Sequence, residues 1–307
     1  MKLLLFLTLI TQSAQQTPRA PLFRASVRRV VVDVFVSKNG RPVSGLTAGD
    51  FQIFDNGELQ EGVTLLNTAD EPLSAVLLID MSASVSGRKL QQSKRAARAF
   101  VDGLSRFDEI AVIAFATQYE LIQPMTKITQ EAVSSLEKLR GGGATALYDS
   151  LHAATVHAES GTGRPFVVVF SDGDDNSSWL TMDDLVAGAE ASSAVIYAVR
   201  VSSGAGLTLL DEKGRRFVEI SADYKGTRAL TNVVRAAGGR LISLRSTENL
   251  ADAYAVILEE MRNRYLLVYE PVSNEPGYHR LDVELRRKKG ALRARPGYFL
   301  REQLFSK

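Results

Sequence analysis

The stretch Ala75-Val76-Leu77-Leu78-Ile79-Asp80-Met81-Ser82-Ala83-Ser84 decides the fold of this chain. Its apolar first half predicts a buried strand, and the residues after it have the spacing of an amphipathic helix. Asp80, Ser82 and Ser84 therefore lie where a central strand of an α/β sheet ends. Folds of that class bind their ligands at this position.

Apolar strands and amphipathic helices alternate over residues 73–262, a pattern typical of a parallel sheet with helices on both faces. We predict strands at 75–80, 109–115, 166–171, 194–200 and 240–244. We predict helices at 86–104, 129–139, 146–159, 181–191, 228–237 and 247–262. The segment 118–123 adds an antiparallel edge, so we expect a doubly wound, mostly parallel α/β sheet of six strands.

Both flanks of this region have β character, over residues 22–68 and 264–300. The first flank carries the hairpin signal Asn39-Gly40, and apolar residues alternate with charged ones over 281–285 of the second. A last strand is expected near 291–299. Neither flank is large enough to fold comfortably alone, so we expect the two to pair into one β-sandwich with the α/β domain inserted between them.

Composition excludes several classes of function. The 307 residues include no cysteine and three histidines, which rules out disulfides, thiolate catalysis and zinc–sulfur sites and disfavours a histidine-rich metal centre. The formal net charge is only +2, and the one basic run, Arg286 to Lys289, is typical of a solvated turn. We therefore expect no nucleic-acid partner.

The first residues indicate export. Residues 1–14 combine one basic residue, an apolar core and small or polar residues, which is typical of a secretory signal peptide. The apolar core, Leu3 to Ile10, is too short to span a bilayer, and no other segment is apolar for long enough. We expect a secreted, periplasmic or cell-envelope protein without a transmembrane segment.

Two further oxygen donors should approach the first three. Alternate residues of an extended loop point the same way, so Ser82 and Ser84 can both reach one ion above Asp80. Thr145 follows the flexible run Gly141 to Gly143, and Asp172 comes just after an apolar strand. In a parallel sheet the carboxyl ends of the strands share one edge, so these oxygens can converge.

Three hydroxyls and two carboxylates supply the hard oxygens that Mg²⁺, Mn²⁺ and Ca²⁺ prefer. So weak a donor set leaves a position for an outside group, and we expect that group to be a carboxylate from a protein partner. Other interpretations exist: Ser84 could simply cap the following helix, and Asp172 could belong to an ordinary turn. A phosphate loop is disfavoured, because Asp80 and Asp172 would both repel phosphate.

The five donors, in this order of strands and helices, resemble the metal-ion-dependent adhesion site of the von Willebrand factor type A domain. The segments 144–149 and 170–176 also look like the second and third metal loops of that family, and the resemblance covers roughly 73–262. It implies a Rossmann-like fold of six strands. It also implies Ser82, Ser84 and Thr145 as direct ligands, with Asp80 and Asp172 often acting through water.

The flanks resemble a bacterial group, the acidobacterial VWFA-related proteins. Residues 45–51 are similar to a β-segment that precedes the domain in that group, and residues 293–299 are similar to the segment that ends the chain there. The group has little established function, so the resemblance indicates fold and site rather than biological purpose.

Three residues are candidates for contact with a partner around the site: Asp174, Trp179 and Asp211. Asp174 could modulate the ion, but it is more typical of a turn or cap. Trp179 could anchor a partner, but a hydrophobic staple for the next helix is the favoured interpretation. Asp211 marks a hairpin tip in the insertion 201–226, which we expect to border the site.

A binding function is favoured over catalysis. His152 and His157 fall well down the helix after Thr145, and the chain has neither a GxSxG elbow nor an HExxH motif. The leading hypothesis is a secreted, metal-dependent adhesion module that is not an enzyme. The alternative is a structural scaffold of a cell-envelope assembly with a loop-stabilising metal, and a hydrolase is least favoured. The partner, the preferred cation and the oligomeric state stay open.

Overall fold

The computed structural model describes residues 29–66, 71–85, 87–201, 207–210, 216–219, 225–287 and 289–300. The predicted signal peptide and Asp211 lie outside these ranges. The strands are β1 (Val30–Lys38), β2 (Arg41–Pro42), β3 (Phe51–Asp55), β4 (Glu58–Leu59), β5 (Thr64–Leu66), β6 (Leu73–Asp80), β7 (Glu109–Phe115), β8 (Tyr119–Thr126), β9 (Arg164–Phe170), β10 (Val195–Val201), β11 (Leu207–Leu210), β12 (Arg216–Glu219), β13 (Leu241–Leu244), β14 (Tyr265–Tyr269), β15 (Gly277–Leu285), β16 (Ala291–Arg293) and β17 (Gly297–Leu300). The helices are α1 (Arg88–Asp102), α2 (Thr129–Leu136), α3 (Leu147–Glu159), α4 (Met182–Ala191), α5 (Lys225–Ala236) and α6 (Leu250–Arg262), with short 3₁₀ turns at Ala48–Asp50 and Thr247–Asn249.

The central sheet has the strand order β11-β12-β13-β10-β9-β6-β7-β8. The run from β13 to β7 is parallel, and β8 pairs antiparallel with β7. The predicted six-strand, mostly parallel sheet and its antiparallel edge are confirmed. The hairpin β11–β12 extends the sheet beyond β13. A hairpin tip was expected in this insertion, but the pairing of β12 with β13 was not.

Helices cover both faces of the central sheet, which is why its strands are apolar throughout. Along β6, Ala75, Leu77 and Ile79 point into one core, with α1, α2 and α6. Val76 and Leu78 point into the other core, with α3, α4 and α5. All eight residues of β6 are buried, so the strand delivers Asp80 to the sheet edge in a fixed position.

Strands from both flanks of the domain form a β-sandwich beside it. One sheet has the order β16-β1-β14-β5, with β2 on β1, and the other has the order β17-β15-β3-β4. Val32 on β1 pairs with Leu267 on β14, and Ile53 on β3 pairs with Val283 on β15. These four residues share one apolar core, which confirms the predicted sandwich built from both flanks.

The strand expected near 291–299 is wrong as a single element. The structure has two short strands there, and they join different sheets: β16 pairs with β1, and β17 pairs with β15. Pro296 lies between them and has no N–H for a sheet ladder, so the strand breaks at this point. The Pro296 carbonyl accepts a hydrogen bond from the Leu281 N–H at 2.8 Å as the chain crosses from one sheet to the other.

None of the helices in the described ranges combines the length and the apolar character that a membrane crossing requires.

Candidate metal-binding site

The candidate site lies at the carboxyl ends of β6 and β9, which are adjacent parallel strands. Ile79 pairs with Phe170, so Asp80 and Asp172 leave the sheet side by side. Ser171 directly follows β9 and donates from Oγ to Asp80 Oδ2 on β6 at 2.8 Å. Residues that are about ninety positions apart in sequence are thus brought to one sheet edge, as the parallel topology requires.

Hydrogen bonds join four of the five predicted donors into one chain. The Ser82 backbone N–H donates to Asp80 Oδ1 at 2.8 Å. The hydroxyl oxygens of Ser82 and Ser84 are 3.0 Å apart. Ser84 Oγ then donates to Asp172 Oδ2 at 2.7 Å. The alternating spacing of the two serines therefore places both hydroxyls on the side of the loop that faces the carboxylates.

The glycine-rich loop packs directly against the loop that carries the serines. The Gly142 N–H donates to the Met81 carbonyl at 2.7 Å, and the Gly143 carbonyl accepts from Ala83 at 3.1 Å. Gly142 and Gly143 have φ angles of 144° and 99°, which side-chain-bearing residues rarely adopt. This close contact brings Thr145 to the same end of the sheet.

Thr145 is held through its backbone by the segment that follows Asp172. Its N–H donates to Asn176 Oδ1 at 2.8 Å, and its carbonyl accepts from the N–H groups of Asn176 and Ser177 at 2.9 and 3.2 Å. Within the described ranges, no hydrogen bond engages the Thr145 hydroxyl. The fifth donor is therefore fixed in place, and its side-chain oxygen is uncommitted.

The two carboxylates of the site have no cationic partner among the described residues. Asp80 is completely buried, and burial, together with the nearby Asp172 charge, raises its pKa to about 6 against the hydrogen bonds from Ser82 and Ser171. In the described part of the chain, neither Asp80 nor Asp172 forms an ion pair with lysine or arginine. A buried carboxylate of this kind favours an added positive charge.

The donor set consists mostly of hydroxyls. Among the residues that the structure describes, no group of three or more histidine, cysteine, aspartate or glutamate side chains is arranged to hold a metal ion. The candidate site brings together only two carboxylates, and Ser82, Ser84 and Thr145 contribute neutral oxygens. Such a set suits a hard cation that retains water rather than a zinc or copper ion.

Asp149 is a supporting residue that the sequence analysis did not single out. It lies in the first turn of α3 and accepts from the Trp179 N–H through Oδ2 and the Leu180 N–H through Oδ1, both at 2.9 Å. Asp175 accepts from Ser178 Oγ at 2.6 Å in the same segment. The segment after Asp172 is thus fixed to α3. The only signal in the sequence was that Asp149 falls in a segment resembling a metal loop.

Arg200 is a second residue that was missed. It is nearly buried on β10, and its Nε donates to the backbone carbonyl of Asp172. The bond fixes the backbone that carries one of the two acids. Nothing in the local sequence relates Arg200 to Asp172, because the contact depends on the pairing of β10 with β9.

Trp179 does not form the expected hydrophobic staple. Its side chain is 94% exposed, whereas the neighbouring Leu180 packs into the core between the sheet and α4. Helix α4 is capped by Thr181, whose hydroxyl accepts from the Asp184 N–H at 3.2 Å. Of these two adjacent apolar residues, Leu180 and not Trp179 packs against the core.

The other two rim candidates differ in position. Asp174 is exposed, and its N–H lies 3.4 Å from Asp172 Oδ1, so it adjoins the site. Asp211 lies outside the described residues. The hairpin strands that precede and follow it extend the far edge of the sheet, with β12 three strands away from β9. The described strands of the insertion therefore lie away from the five donors.

Comparison with known proteins agrees with this fold. A model of the von Willebrand factor type A domain matches residues 75–174, which include all five donors. This chain carries a von Willebrand factor type A (VWFA) domain. Domains of this family are protein-interaction or adhesion modules and are generally not enzymes. A search of curated proteins finds no match.

Solved structures share the fold. A von Willebrand factor type A protein from Catenulispora acidiphila is 14% identical, with a TM-score of 0.52, over 92% of this chain and 76% of that one. A mutant of the PilB minor pilin from Streptococcus sanguinis is 11% identical, with a TM-score of 0.50, over 63% of this chain and 62% of the pilin. Proximal thread matrix protein 1 from the mussel byssus is 14% identical, with a TM-score of 0.50, over 74% of this chain and 51% of that one. At these identities the likeness concerns the fold alone.

Proposed function

We propose that this VWFA protein is an exported binding module whose attachment to a protein partner depends on a divalent cation. Asp80, Ser82, Ser84, Thr145 and Asp172 would hold Mg²⁺, or Mn²⁺ or Ca²⁺ in its place. A carboxylate of the partner would occupy the position that these residues leave open. The observation that carries the proposal is a completely buried Asp80 with no cationic partner in the described chain. It is linked to Asp172 through the Ser82 backbone N–H and the hydroxyls of Ser82 and Ser84.

The five candidate ligands differ in their exposure to solvent. Asp80, Ser82 and Thr145 are buried, whereas Ser84 is exposed and Asp172 is half-buried. A cation in this place would supply the positive charge that the two acids lack, and its solvent-facing side would be open to an acidic group. The resemblance to adhesion sites implies Ser82, Ser84 and Thr145 as its direct ligands.

The surface next to the site offers a second contact for the same partner. Trp179, Tyr119 and Val156 are exposed by 94%, 45% and 54%, and they line one cleft of about 420 Å³. Exposed aromatic side chains on a fixed backbone are frequent anchors of protein interfaces. We include Trp179 and Asp174 in the partner-binding rim. Asp211 is retained as a rim candidate from the sequence alone.

Metal titration of the Asp80→Asn variant tests the proposal. The amide keeps the shape of the carboxylate but removes its charge, so we expect at least a tenfold loss of Mg²⁺ or Mn²⁺ affinity by isothermal titration calorimetry. The matched control is Asp102→Asn, which changes a carboxylate that is 62% exposed on α1. Wild-type protein that binds neither Mg²⁺, Mn²⁺ nor Ca²⁺ at millimolar concentration would refute the metal site.

A pull-down from the native cell envelope tests the partner. Capture should occur in Mg²⁺ and disappear in EDTA, and Asp80→Asn should capture nothing in either buffer. Partners that remain bound in EDTA would show that the cation does not mediate the contact.

A structural scaffold is the second candidate. The hydrogen-bonded chain from Asp80 to Asp172 already ties the loops together, so a cation could serve mainly to stabilise them. Two proteins that share the fold are a minor pilin and a byssus thread matrix protein. A large rise of the melting temperature in Mg²⁺, without any Mg²⁺-dependent partner, would favour this role.

Hydrolysis is a weaker third candidate. His152 and His157 lie on α3 and line the Trp179 cleft, and the hydrogen-bonded chain of the candidate site contains no histidine. A serine nucleophile needs a general base within hydrogen-bond reach.

A further inference from the structure

The β-sandwich encloses a cluster of four polar side chains that plays no part in the metal site. His279, Asp55, Tyr269 and Tyr298 are exposed by only 2%, 5%, 1% and 8%. Asp55 ends β3, whereas His279 and Tyr298 lie on β15 and β17 of the same sheet. Tyr269 reaches across from β14 of the facing sheet. We call these four residues the His279 cluster.

Both ring nitrogens of His279 face hydrogen-bond acceptors. Nδ1 is 2.9 Å from Asp55 Oδ1, and Nε2 is 2.7 Å from the backbone carbonyl of Glu275. The Tyr298 hydroxyl also lies 3.3 Å from Nδ1, but it donates its proton to Asp55 Oδ2 at the shorter distance of 2.8 Å. A carbonyl oxygen can only accept, so Nε2 must carry a proton. A neutral imidazole has one N–H, and it would leave Nδ1 with its lone pair directed at a carboxylate oxygen. The geometry is satisfied when both nitrogens are protonated.

The surroundings of Asp55 show it to be the accepting partner. Its Oδ2 accepts hydroxyl hydrogen bonds from Tyr269 and Tyr298, both at 2.8 Å. Burial, followed by the hydrogen bond to Asp55, raises the pKa of Tyr269, so this phenol stays protonated. With two hydroxyl donors on one oxygen and the imidazole on the other, Asp55 is surrounded by donors, as a carboxylate requires.

The charged groups that face the ring favour its cationic form. Burial alone lowers the pKa of His279. The hydrogen bonds to the Glu275 carbonyl and to Asp55, together with the negative charges of both acids, outweigh burial and raise that pKa above its ordinary value. The remaining titratable neighbours, Tyr269 and Tyr298, are neutral donors to Asp55 rather than competing charges.

We propose that His279 is a buried imidazolium that holds Asp55 in place to accept the hydroxyl of Tyr269 from the facing sheet, and that this link between the two sheets weakens as the pH rises. A folded-state pKa above the unfolded value means that protonation favours folding. The stabilisation is fully present below the unfolded pKa of about 6.5, and it is lost as the pH rises through the higher folded value. The sandwich is thus a pH-sensitive latch that is closed in acid and weakened in base.

Nuclear magnetic resonance of the full chain tests the protonation state without any change to the cluster. The sequence has three histidines, so ¹⁵N-labelled histidine gives three sets of ring signals, and His152→Gln and His157→Gln remove the two that belong to α3. We expect the remaining ring to be doubly protonated at pH 6.5 and to titrate above that value. A neutral ring at pH 6.5, or one that titrates below it, would overturn the proposal, as would a proton found on Asp55.

Stability against pH tests the latch. We expect the melting temperature of the wild type to fall by several degrees between pH 6 and pH 9, and the fall to shrink in His279→Gln. His152→Gln is the matched control because it changes an exposed histidine, and it should retain the wild-type slope. An identical slope in the wild type and in His279→Gln would overturn the latch.

If His279→Gln does not fold, amide hydrogen exchange of the wild type tests the latch instead. The exchange rate of the amides in β3, β15 and β17 should rise with pH by more than base catalysis alone explains, whereas the rate in β6 and β9 should follow base catalysis. The same acceleration in both regions would overturn the latch.

Discussion

The carboxylates near the two ends of β9 differ in whether an arginine pairs with them in the described chain. The strand begins at Arg164, beside the sandwich, where Arg164 Nη2 donates to Asp33 Oδ2 at 2.8 Å and Arg264 also pairs with Asp33. Just beyond its other end, Asp172 shares the sheet edge with Asp80, and neither acid pairs with lysine or arginine in the described chain. One strand thus connects a charge-compensated end to an acidic end.

This difference shifts the pKa values of the two buried carboxyls in opposite directions. At the sandwich end, burial opposes the ionisation of Asp33, but the two arginines outweigh it and lower the pKa of that carboxyl. At the site end, burial prevails and raises the pKa of Asp80 to about 6. At the sandwich end the carboxylate has its cationic partners within the chain, whereas at the other end the proposed external cation would supply the positive charge.

The largest change in the free energy of unfolding should come from removing the Asp33 carboxylate at the compensated end. Asp33→Asn would remove the carboxylate that pairs with two largely buried guanidinium groups, since Arg264 is 0% and Arg164 9% exposed. Removing one partner of a buried pair costs about 3–5 kcal/mol, so we expect a loss of that size in the free energy of unfolding in urea. Asp102→Asn, on the surface, should change it by less than about 0.5 kcal/mol. Equal effects of the two variants would show that the buried pair contributes little.

An aspartate-to-asparagine substitution at the acidic end should change the free energy of unfolding in the opposite direction. Without metal, Asp80→Asn removes a buried charge whose ionisation is unfavourable, because its pKa is about 6 rather than 3.8. We expect the free energy of unfolding in EDTA at pH 7 to rise by about 2–3 kcal/mol. Added Mg²⁺ should stabilise the wild type and leave the variant unchanged. A variant less stable than the wild type in EDTA would mean that Asp80 mainly supports the fold.

A surface change should separate binding from stability. Trp179→Ala removes a side chain that is 94% exposed, so its melting temperature and its Mg²⁺ affinity should match those of the wild type. Affinity for a partner captured in Mg²⁺ should fall by about 2 kcal/mol, the size of an interface hot spot. Phe107→Ala is the control, since Phe107 is 57% exposed and lies before β7, at the opposite end of the sheet. Loss of binding in both variants would indicate a non-specific apolar effect.

The smallest effect concerns a partly exposed pair at the compensated end. Burial opposes ionisation of Asp108, but hydrogen bonds from Arg262, Leu73 and Ser105 lower its pKa. A lowered folded-state pKa gives stability that is present above the unfolded value of about 3.9 and lost as the pH falls through the folded one. Arg262→Gln should therefore cost about 1 kcal/mol at pH 6. The variant and the wild type should converge towards pH 2, as urea unfolding at each pH will show, and a constant difference would exclude Asp108 as the cause.

Local patterns were enough to predict the central sheet and the convergence of the donors. β6 and β9 are apolar runs of ordinary strand length, and a parallel sheet leaves little choice about where their carboxyl ends meet. The alternating serines after Asp80 could be placed on one side of a loop for the same reason. The metal itself and its partner stay predictions.

Features set by tertiary packing could not be foreseen. Whether Trp179 or Leu180 faces the core depends on how Asp149 holds their N–H groups. The break at Pro296 was visible in the sequence, but its consequence, a change of sheet, depends on the partner strands. Arg200 supports Asp172 only because β10 adjoins β9. In each case the deciding neighbour is distant in sequence.

Leu66 and Leu266 are paired neighbours on β5 and β14, so the α/β domain leaves and rejoins the sandwich through adjacent strands. Tension applied between the two flanks would pass across the hydrogen bonds of these strands and bypass the inserted domain. The sandwich would therefore carry that load. The candidate metal site, at the other side of the central sheet, would keep its geometry under load until the sandwich yields.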